Sequence, residues 1–325
     1  MKVLIIRFSS IGDIILTTPI ARAINEQIPN SEVHFLTKKH FTGLLQNNPN
    51  ISKIWGFDKN AKGLLKSLKA EKYDHIVDLH NNLRTKRFSL LLRVPTKRLN
   101  KLNWQKWVMV RLKKNLLPDK HIVDRNFDVV AGLNVTNDNK GLNYFIDETC
   151  QIPDSIRVPN RYVCYAIGGQ HATKKMPHSK MIEFCDKSEI TVVLIGGKED
   201  EEMGRKLESS CRNVISLCGK LSIDQSALIM KNALWVVTHD TGMMHIAAAL
   251  KKKIISIWGN TIPEFGMYPY LPDDESKSFE VSDLHCRPCS KIGYEKCPVD
   301  NFNCMNQQDI DGMLRVIAES ASISD

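Results

Sequence analysis

The stretch 233–258 constrains the fold more than any other part of this sequence, because it combines two apolar strands with a polar turn and a short helix. Its apolar runs predict strands over 234–237 and 254–258, and its small residues predict a helix over 243–250. A helix that joins two successive apolar strands indicates a parallel sheet. The polar turn after the first strand then lies at the carboxyl edge of the sheet, where ligands bind in open α/β folds.

That turn, residues 238–242, has the side chains of an anion site. Asp240 and Thr241 offer polar side chains, and Gly242 allows a phosphate to approach the backbone at the positive end of the helix. His245 follows one helical turn after Thr241, close enough to reach the same mouth. A helix cap made by Asp240 or Thr241, with His245 as an ordinary helix residue, explains the same pattern. The turn alone therefore leaves both interpretations open.

A chain of 325 residues, with 42% hydrophobic and 25% charged residues, predicts a globular protein of two domains. The N-terminal apolar run is too short for the core of a signal peptide, and no run approaches the ~20 residues of a membrane span. We therefore expect a cytoplasmic protein. The formal net charge of +9 favours anionic partners.

The chain begins with an apolar strand over 2–8, a loop that contains Gly12 and Asp13, and a helix over 14–27 that Pro19 interrupts. Strand, loop and helix in this order open a Rossmann-like domain. The loop lacks the G-x-G-x-x-G pattern of dinucleotide enzymes, which argues against a nicotinamide cofactor. Asp13 is either a helix N-cap or a general base at the end of the first strand.

A second polar cluster follows the apolar strand predicted at 73–79. It runs from His80 through Asn82 to Arg84, again after the carboxyl end of a strand. Because parallel strands end at one edge of a sheet, we expect this cluster and the loop of Asp13 to bind a polar substrate together.

Residues 84–125 contain 13 Lys or Arg and two acids, with Trp104 and Trp107 among the bases. A basic segment with interfacial tryptophans predicts contact with anionic lipid headgroups. A solvated basic helix is the alternative. Nucleic acid is a rival partner without a supporting motif, so none is expected.

A polar stretch over about 136–160, with one short strand at 142–146, is the predicted linker between domain 1–155 and domain 156–325. The second domain begins with a strand at 162–167, as the first domain begins with one.

The loop after that strand contains two glycines, Thr173, Lys174 and Lys175, which suit a phosphate. The glycine pair at 196–197 follows the next strand and precedes a run of acids. Those acids either bind ribose hydroxyls or occupy the first turn of a helix, which its dipole favours.

Nine cysteines are present, of which five are scattered through apolar segments as in a reduced protein. The other four, Cys286, Cys289, Cys297 and Cys304, have the spacing C-x2-C-x7-C-x6-C. Four cysteines at this spacing suit a structural zinc, and free thiols are the alternative. A helix is predicted over 307–318, placed so that it crosses back onto the first domain.

Together these motifs resemble glycosyltransferase family 9, the lipopolysaccharide heptosyltransferases. The blocks run in the family's order from residue 3 to about 305, and the most specific is Asp240-Thr241-Gly242-Met243-Met244-His245-Ile246-Ala247-Ala248-Ala249-Leu250. The weaker blocks are Arg7-Phe8-Ser9-Ser10-Ile11-Gly12-Asp13-Ile14, Asp78-Leu79-His80 with Leu83-Arg84, Thr173-Lys174-Lys175-Met176-Pro177, Gly196-Gly197, Gly219-Lys220, Cys286-Arg287-Pro288-Cys289 and Cys304-Met305.

The resemblance implies an α/β chain of the GT-B fold, in which two Rossmann-like domains face a central cleft. The N-terminal domain would hold the acceptor and the C-terminal domain the nucleotide-sugar. The implied donor is ADP-L-glycero-D-manno-heptose, and the implied acceptor is the inner core of a lipid A-linked saccharide. The resemblance further implies inversion without a metal, at the inner face of the inner membrane.

The resemblance also implies residue roles. Asp13 matches the catalytic base, and Lys174 matches the lysine that neutralises the departing ADP. An acid after Gly197 matches a ribose ligand, with Glu199, Asp200 and Glu201 as candidates. The positions expected to bind the donor are Thr173, Glu199, Glu201, Gly219, Asp240, Thr241, Gly242 and His245, and those expected to bind the acceptor are Ser10, Gly12, Asn82 and Arg84.

Two positions depart from the family pattern. Met176 stands where the family commonly has Trp, and Lys251 to Lys253 are unusually basic for the end of the diphosphate helix. Two other functions are weighed: the same fold with another acceptor or donor sugar, and a basic lipid- or nucleic-acid-binding relative without turnover. The presence of Asp13 together with Lys174 counts against the relative without turnover.

Overall fold

The computed structural model describes residues 1–58 and 61–321, which form two compact units. The first unit comprises Met1–Leu102 and Asp119–Phe145, and the second comprises Asn103–Pro118 and the chain from Ile146 onward. Each is an α/β unit with its own sheet, in agreement with the predicted fold class. The chain visits the second unit at 103–118, returns to the first, and crosses again before Ile146. The domain boundary between residues 155 and 156 stays a prediction.

The strands are β1 (Lys2–Ile6), β2 (Glu32–Lys38), β3 (Lys53–Phe57), β4 (His75–Asp78), β5 (Thr96–Arg98), β6 (Val163–Ala166), β7 (Val192–Ile195), β8 (Val214–Ser216), β9 (Trp235–His239), β10 (Ile254–Trp258) and β11 (Lys277–Glu280). The helices are α1 (Ile11–Ile15), α2 (Thr18–Gln27), α3 (Ala61–Ala70), α4 (Leu83–Leu92), α5 (Asn103–Leu112), α6 (Ile122–Val130), α7 (His178–Lys187), α8 (Glu201–Ser210), α9 (Ile223–Asn232), α10 (Gly242–Ala249), α11 (Asn303–Asn306) and α12 (Ile310–Ala321). Short 3-10 turns cover Lys39–Leu45, Ala131–Leu133, Ala172–Lys174, Lys198–Asp200 and Pro263–Phe265.

The sheet of the first unit has the order β3-β2-β1-β4-β5, and its strands are parallel. β1 is central, and its residues from Val3 to Ile6 are fully buried, as expected for a strand covered on both faces. The strand order reverses between β1 and β4. The helix predicted over 14–27 is interrupted, but at residues 16–17 and not at Pro19: α1 ends at Ile15, and α2 begins at Thr18 with the proline in its first turn, where the missing N–H is tolerated.

The sheet of the second unit has the order β11-β10-β9-β6-β7-β8, again with parallel strands. Every residue of β9 and β10 is buried, so the stretch 233–258 forms the predicted unit of strand, turn, helix and strand. The strand order reverses between β6 and β9. In doubly wound sheets the crevice outside the carboxyl ends of the strands at such a reversal is the ligand site.

The strand predicted at 142–146 is wrong. Its backbone groups bond to side chains of the first unit instead of to another strand. Asn143 donates its N–H to the hydroxyl of Thr18 at 2.9 Å, and the carbonyl of Phe145 accepts from the side-chain amide of Asn47 at 3.4 Å. These polar groups are therefore satisfied without a sheet.

The C-terminal helix α12 packs on α7 within the second unit, where Met313 and Ile317 join the hydrophobic core. Asp311 of α12 also lies 2.9 Å from the ammonium of Lys187 on α7. The expectation that this helix crosses back onto the first domain is therefore wrong, and the helix packs within the second unit instead.

The basic segment 84–125 does not form one continuous element. α4 and α6 belong to the first unit, whereas α5 belongs to the second. Its bases are therefore shared between the two units. Within the described part of the chain, none of the helices is both long and apolar enough to cross a membrane.

Candidate active site

In the first unit, the loop after β1 places Asp13 in the first turn of α1. Its Oδ2 accepts hydrogen bonds from the backbone N–H and the hydroxyl of Ser10, both at 3.0 Å. Its Oδ1 lies 2.6 Å from Nη2 of Arg7. The Asp13 side chain is 24% exposed, so these contacts orient a carboxylate that solvent can still reach.

These contacts also set the charge of Asp13. Burial alone raises the pKa of this carboxyl, but the charge of Arg7 and the hydrogen bonds from Ser10 outweigh it and lower the pKa to about 2. Asp13 is therefore ionised at neutral pH and able to accept a proton. Because it bonds back to the N-cap residue Ser10, it also serves the start of α1 as the acid of a capping box does.

β4 lies beside β1 and brings His80 next to this loop, as the common edge of the two strands predicts. The rings of His80 and Phe8 are 5.2 Å apart between centroids. Burial and the positive charges of Arg7 and Lys101 lower the pKa of His80 to about 4, so its imidazole is neutral at pH 7. Sequence reasoning placed His80 in the polar cluster without giving it a role.

The other predicted acceptor-binding residues have different environments. Gly12 is buried within α1, where its carbonyl accepts the N–H of Leu16 at 2.9 Å. Asn82 is the N-cap of α4, and its side-chain oxygen accepts the N–H of Thr85 at 2.9 Å. Arg84 is exposed on α4. The structure thus brings Ser10 and Gly12 to Asp13 and gives Asn82 a capping role.

In the second unit, the loops after β6 and β9 meet at the reversal of strand order. Nζ of Lys174 lies 2.5 Å from Oδ2 of Asp240 and 3.1 Å from the carbonyl oxygen of the same residue. Thr261, which follows β10, donates its hydroxyl to that Oδ2 at 2.8 Å. One carboxylate therefore joins the loops that follow three neighbouring strands and orients the lysine.

The turn after β9 does not cap α10 through its side chains. Thr241 occupies the N-cap position, but its buried hydroxyl has no hydrogen-bond partner in the described part of the chain. The carboxylate of Asp240 is engaged by Lys174. The N–H groups of the first turn, beginning at Gly242, have no partner inside the helix. His245 is buried one turn further along. Within the described residues neither Asp240 nor Thr241 caps the helix through its side chain, and the anion site stays a prediction.

The backbone on both sides of Lys174 is fixed. Thr173 donates its N–H to the carbonyl of Tyr294 at 3.1 Å, and Tyr294 donates its N–H to the Thr173 hydroxyl at 2.8 Å. Met176 donates its N–H to Nε2 of His239 at 3.0 Å, and its side chain is buried in the core. Tyr294 and His239 were missed from the sequence, because contacts with a distant backbone leave no local pattern.

The sequence pattern of glycosyltransferase family 9 (heptosyltransferase) matches residues 62–297, which is most of the chain. The chain belongs to glycosyltransferase family 9. Among its relatives, it is 25% identical over 278 residues to lipopolysaccharide heptosyltransferase 3 of Escherichia coli K12, a match that covers 77% of this chain and 80% of the relative.

Solved structures confirm the GT-B fold of this family 9 glycosyltransferase. The glycosyl transferase family 9 protein from Veillonella parvula DSM 2008 has a TM-score of 0.76 at 19% identity, over 100% of this chain and 98% of the other. An E. coli heptosyltransferase, WaaC with ADP-2-deoxy-2-fluoro heptose, has a TM-score of 0.67 at 18% identity, over 98% of this chain and 99% of the other.

The three acids after Gly197 have separate places in this glycosyltransferase. Asp200 is buried, and its Oδ2 accepts the N–H of Gly197 at 3.0 Å, so it serves the loop itself. Among the described residues, Glu199 and Glu201 have no ion-pair partner. Gly219, with a φ of +74°, lies so close that a Cβ there would be 3.4 Å from Cβ of Glu201. Two predicted donor residues, Glu201 and Gly219, are therefore brought together.

The four C-terminal cysteines are free thiols. Burial raises the pKa of Cys289 to about 12, with the neighbouring Cys286 and Cys304 adding to the effect, so the thiol of Cys289 is protonated at neutral pH. A tetrahedral zinc holds its sulfurs ~3.8 Å apart, given Zn–S bonds of about 2.3 Å. In the described part of the chain, no three of the four sulfurs lie within 4.8 Å of one another. The thiols as placed do not form that set, and the zinc stays a prediction.

Within the described residues, Glu32, His34 and Glu71 do have potential ligand atoms within 4.8 Å of one another. Lys2, however, lies 3.2 Å from Glu32 and 2.9 Å from Glu71, and Lys53 lies 2.6 Å from Glu71. Because the two ammonium groups already balance the carboxylates, we interpret this cluster as an ion-pair network on the first sheet.

Proposed function

We propose that this family 9 enzyme transfers heptose from ADP-heptose to the inner core of a lipid A-linked saccharide, with inversion and without a catalytic metal. The observation that carries the proposal is the junction of Lys174, Asp240 and Thr261 beside the uncapped start of α10. It combines a positioned ammonium with the positive end of a helix at the reversal of strand order. A diphosphate is the ligand that best matches these groups.

The donor half of the reaction takes place at this junction. The bond between the anomeric carbon and the diphosphate oxygen breaks, and ADP leaves with the bonding electrons. Negative charge grows on the departing phosphate, where Lys174 and the N–H groups of α10 stabilise it. Because the loop of Lys174 is fixed by Tyr294 and His239, this stabilisation requires little reorganisation during the reaction.

The acceptor half depends on Asp13. Its carboxylate takes the proton from the acceptor hydroxyl as that oxygen forms its bond to the anomeric carbon. A single displacement of this kind inverts the anomeric centre. Arg7 and Ser10 keep the carboxylate ionised and oriented, so the base is ready at neutral pH.

The names of the relatives support the choice of sugar, nucleotide and acceptor. The E. coli K12 relative is a lipopolysaccharide heptosyltransferase, and a solved neighbour holds an ADP-linked fluoro-heptose. In this chain, Glu199 and Glu201 beyond β7 are the groups that we assign to the ribose of ADP.

We also infer a peripheral position on an anionic membrane surface. α5 exposes Trp104 and Trp107, which are 63% and 53% accessible, and the exposed bases Arg111 and Lys114 lie in its last turn and just after its end. Aromatic rings with neighbouring bases match the interface of a bilayer that contains anionic lipids. Such a position would bring the enzyme to a lipid-linked acceptor.

The deciding experiment is donor turnover. Purified protein is incubated with ADP-heptose and a lipid A-linked core acceptor, and released ADP is measured beside matched reactions with UDP- and GDP-sugars. We expect ADP release that requires the acceptor and does not occur with the other nucleotides. Tight ADP binding without turnover on any acceptor would point to another acceptor, and absence of ADP binding would overturn the assignment of the site.

Three variants assign the roles. Lys174→Ala should lower kcat by about 10²–10³, equivalent to ~2.7–4 kcal/mol of lost leaving-group stabilisation. Lys175→Ala is the matched control, because its ammonium lies 3.4 Å from Asp200 and does not contact Asp240 in the described structure.

Asp13→Asn should abolish transfer while the Kd for ADP stays unchanged.

A further inference from the structure

The turn after β10, residues 259–261, is held rigidly by the cysteine-rich segment. Arg287 donates to the carbonyl of Gly259 at 2.6 Å and to that of Thr261 at 3.0 Å. Cys289 donates its N–H to the carbonyl of Asn260 at 3.1 Å. All three carbonyls of the turn therefore have partners.

The same turn belongs to the donor junction. The Thr261 hydroxyl holds Asp240, as described above, and a Cβ on Gly259 would lie only 3.0 Å from the carbonyl oxygen of Thr173. Glycine thus allows the turn to approach the lysine loop closely. Asn260 lies between these two contacts.

The side chain of Asn260 differs from the backbone carbonyls of this turn, because it has no hydrogen-bond partner among the described residues. It is 1% exposed, yet neither its Nδ2 nor its Oδ1 has a hydrogen-bond partner in the described part of the chain. A buried amide without partners is costly and uncommon in folded proteins. The hydroxyl of Thr241, on the adjacent turn after β9, has the same property. Two neighbouring turns thus present unmatched polar side chains at one edge of the sheet.

The strand order indicates which part of a donor lies beside Asn260. From one side to the other, the sheet carries β10, β9, β6 and β7, each about 4.8 Å from the next. The acids assigned to the ribose follow β7, and the diphosphate junction lies between β6 and β9. A nucleotide-sugar runs from ribose through diphosphate to the transferred sugar. The sugar therefore falls on the side of β10, where Asn260 is placed.

The chemistry of the amide agrees with this position. A carboxamide offers two N–H donors and one carbonyl acceptor. A phosphate oxygen satisfies only the donors, whereas a sugar hydroxyl both accepts and donates a hydrogen bond. We propose that Asn260 binds a hydroxyl of the transferred sugar and contributes to the choice of donor sugar. This inference rests on the proposed function, because it assumes a nucleotide-sugar at the junction.

Calorimetric titration of the full chain with ADP and with ADP-heptose tests the inference. For Asn260→Ala we expect the Kd for ADP to stay within twofold of the original protein and the Kd for ADP-heptose to rise about tenfold. Asn260→Asp, which keeps an acceptor and loses both donors, should also weaken ADP-heptose selectively. Thr241→Val is the contrasting variant, since it should weaken both ligands through the diphosphate.

Thermal melting of each variant provides the folding control. Because the Asn260 amide has no described partner, Asn260→Ala should keep the melting temperature of the original protein. Unchanged affinity of Asn260→Ala for both ligands would mean that the amide contacts only enclosed water. Equal weakening of both ligands would mean that the amide binds the nucleotide and not the sugar. Either result overturns the inference. If the original protein binds neither ligand, the proposed function itself fails.

Discussion

Among the single residues of the site, Arg7 has the clearest effect on a neighbour, because its charge lowers the pKa of the Asp13 carboxyl. Its guanidinium donates to the carbonyl of Ser9 at 3.0 Å and to that of Leu79 at 2.5 Å, which holds the charge against the Asp13 carboxylate. Asp13 acts as a base only when ionised, so its contribution is present above its pKa and is lost as the pH falls through it. With the pKa at about 2, Asp13 should not limit activity on the acid side of an ordinary assay range.

Arg7→Met should therefore raise the pKa of Asp13 and move the acid limb of kcat/KM to higher pH. The pH dependence of kcat/KM between pH 4 and 9 is the measurement. Arg7→Lys is the matched control, because it keeps the positive charge and should leave the limb closer to that of the original protein. Identical acid limbs for the Met and Lys variants would show that the charge of Arg7 does not set the basicity of Asp13.

At the scale of elements, α5 should be the part of the protein that binds lipid. Each basic residue near an anionic surface contributes ~1 kcal/mol, so Arg111→Gln combined with Lys114→Gln should lower binding to anionic vesicles about thirtyfold. Lys113 is left in place, because its ammonium holds the carbonyls of Cys286 at 3.0 Å and Pro288 at 2.7 Å. Sedimentation with phosphatidylglycerol vesicles measures the effect.

Two controls accompany that experiment. Val299→Ser alters a half-exposed apolar residue elsewhere in the second unit and should leave lipid binding unchanged. Binding of the original protein should weaken as salt rises, because exposed charges are screened over about 10 Å at 0.1 M salt. Equal binding to neutral and anionic vesicles would show that the bases do not contribute, and absence of binding would leave α5 as a solvated basic helix.

The strands and helices also show which structural features the sequence can predict. β10 occupies the predicted residues 254–258, because a buried parallel strand is a local apolar run that needs no knowledge of its neighbours. The strand expected at 142–146 failed, because distant side chains such as Thr18 and Asn47 bond to that backbone. The placement of α5 in the second unit depends likewise on contacts with residues more than 170 positions away.

The residues of the candidate site also fall into two groups, those that sequence motifs predicted and those that they did not. Lys174 and Asp240 stood in motifs that resemble the family, and the structure joins them at 2.5 Å. Thr261, His239 and Asn260 carry no such motif, and their roles arise only when the loops after β6, β9 and β10 meet at one edge. Sequence patterns therefore found the charged groups and the polar residues within the motifs, such as Thr173 and Thr241, but not the residues that reach the site from outside the motifs.

At the scale of the whole molecule, the chain passes from the first unit to the second at 103 and back at 119 before its final crossing. Each unit has a separate sheet and a separate hydrophobic cluster. Stability should therefore follow the units and not the order of residues along the chain. α5 tests this best, since α4 and α6 flank it in sequence but belong to the other unit.

Native-state hydrogen exchange at increasing denaturant should show α5 opening together with β9 and β10, and apart from α4 and α6. The same exchange measurement in the presence of ADP provides a second test. At 100 times its Kd, a ligand that binds only the folded second unit adds ~2.7 kcal/mol to the opening free energy of that unit. The protection of α5 should rise by this amount, because Lys113 and the Cys286–Pro288 carbonyls tie the helix to the unit that binds ADP. If α5 instead exchanged with α4 and α6 and did not respond to ADP, the assignment of residues 103–118 to the second unit would be wrong.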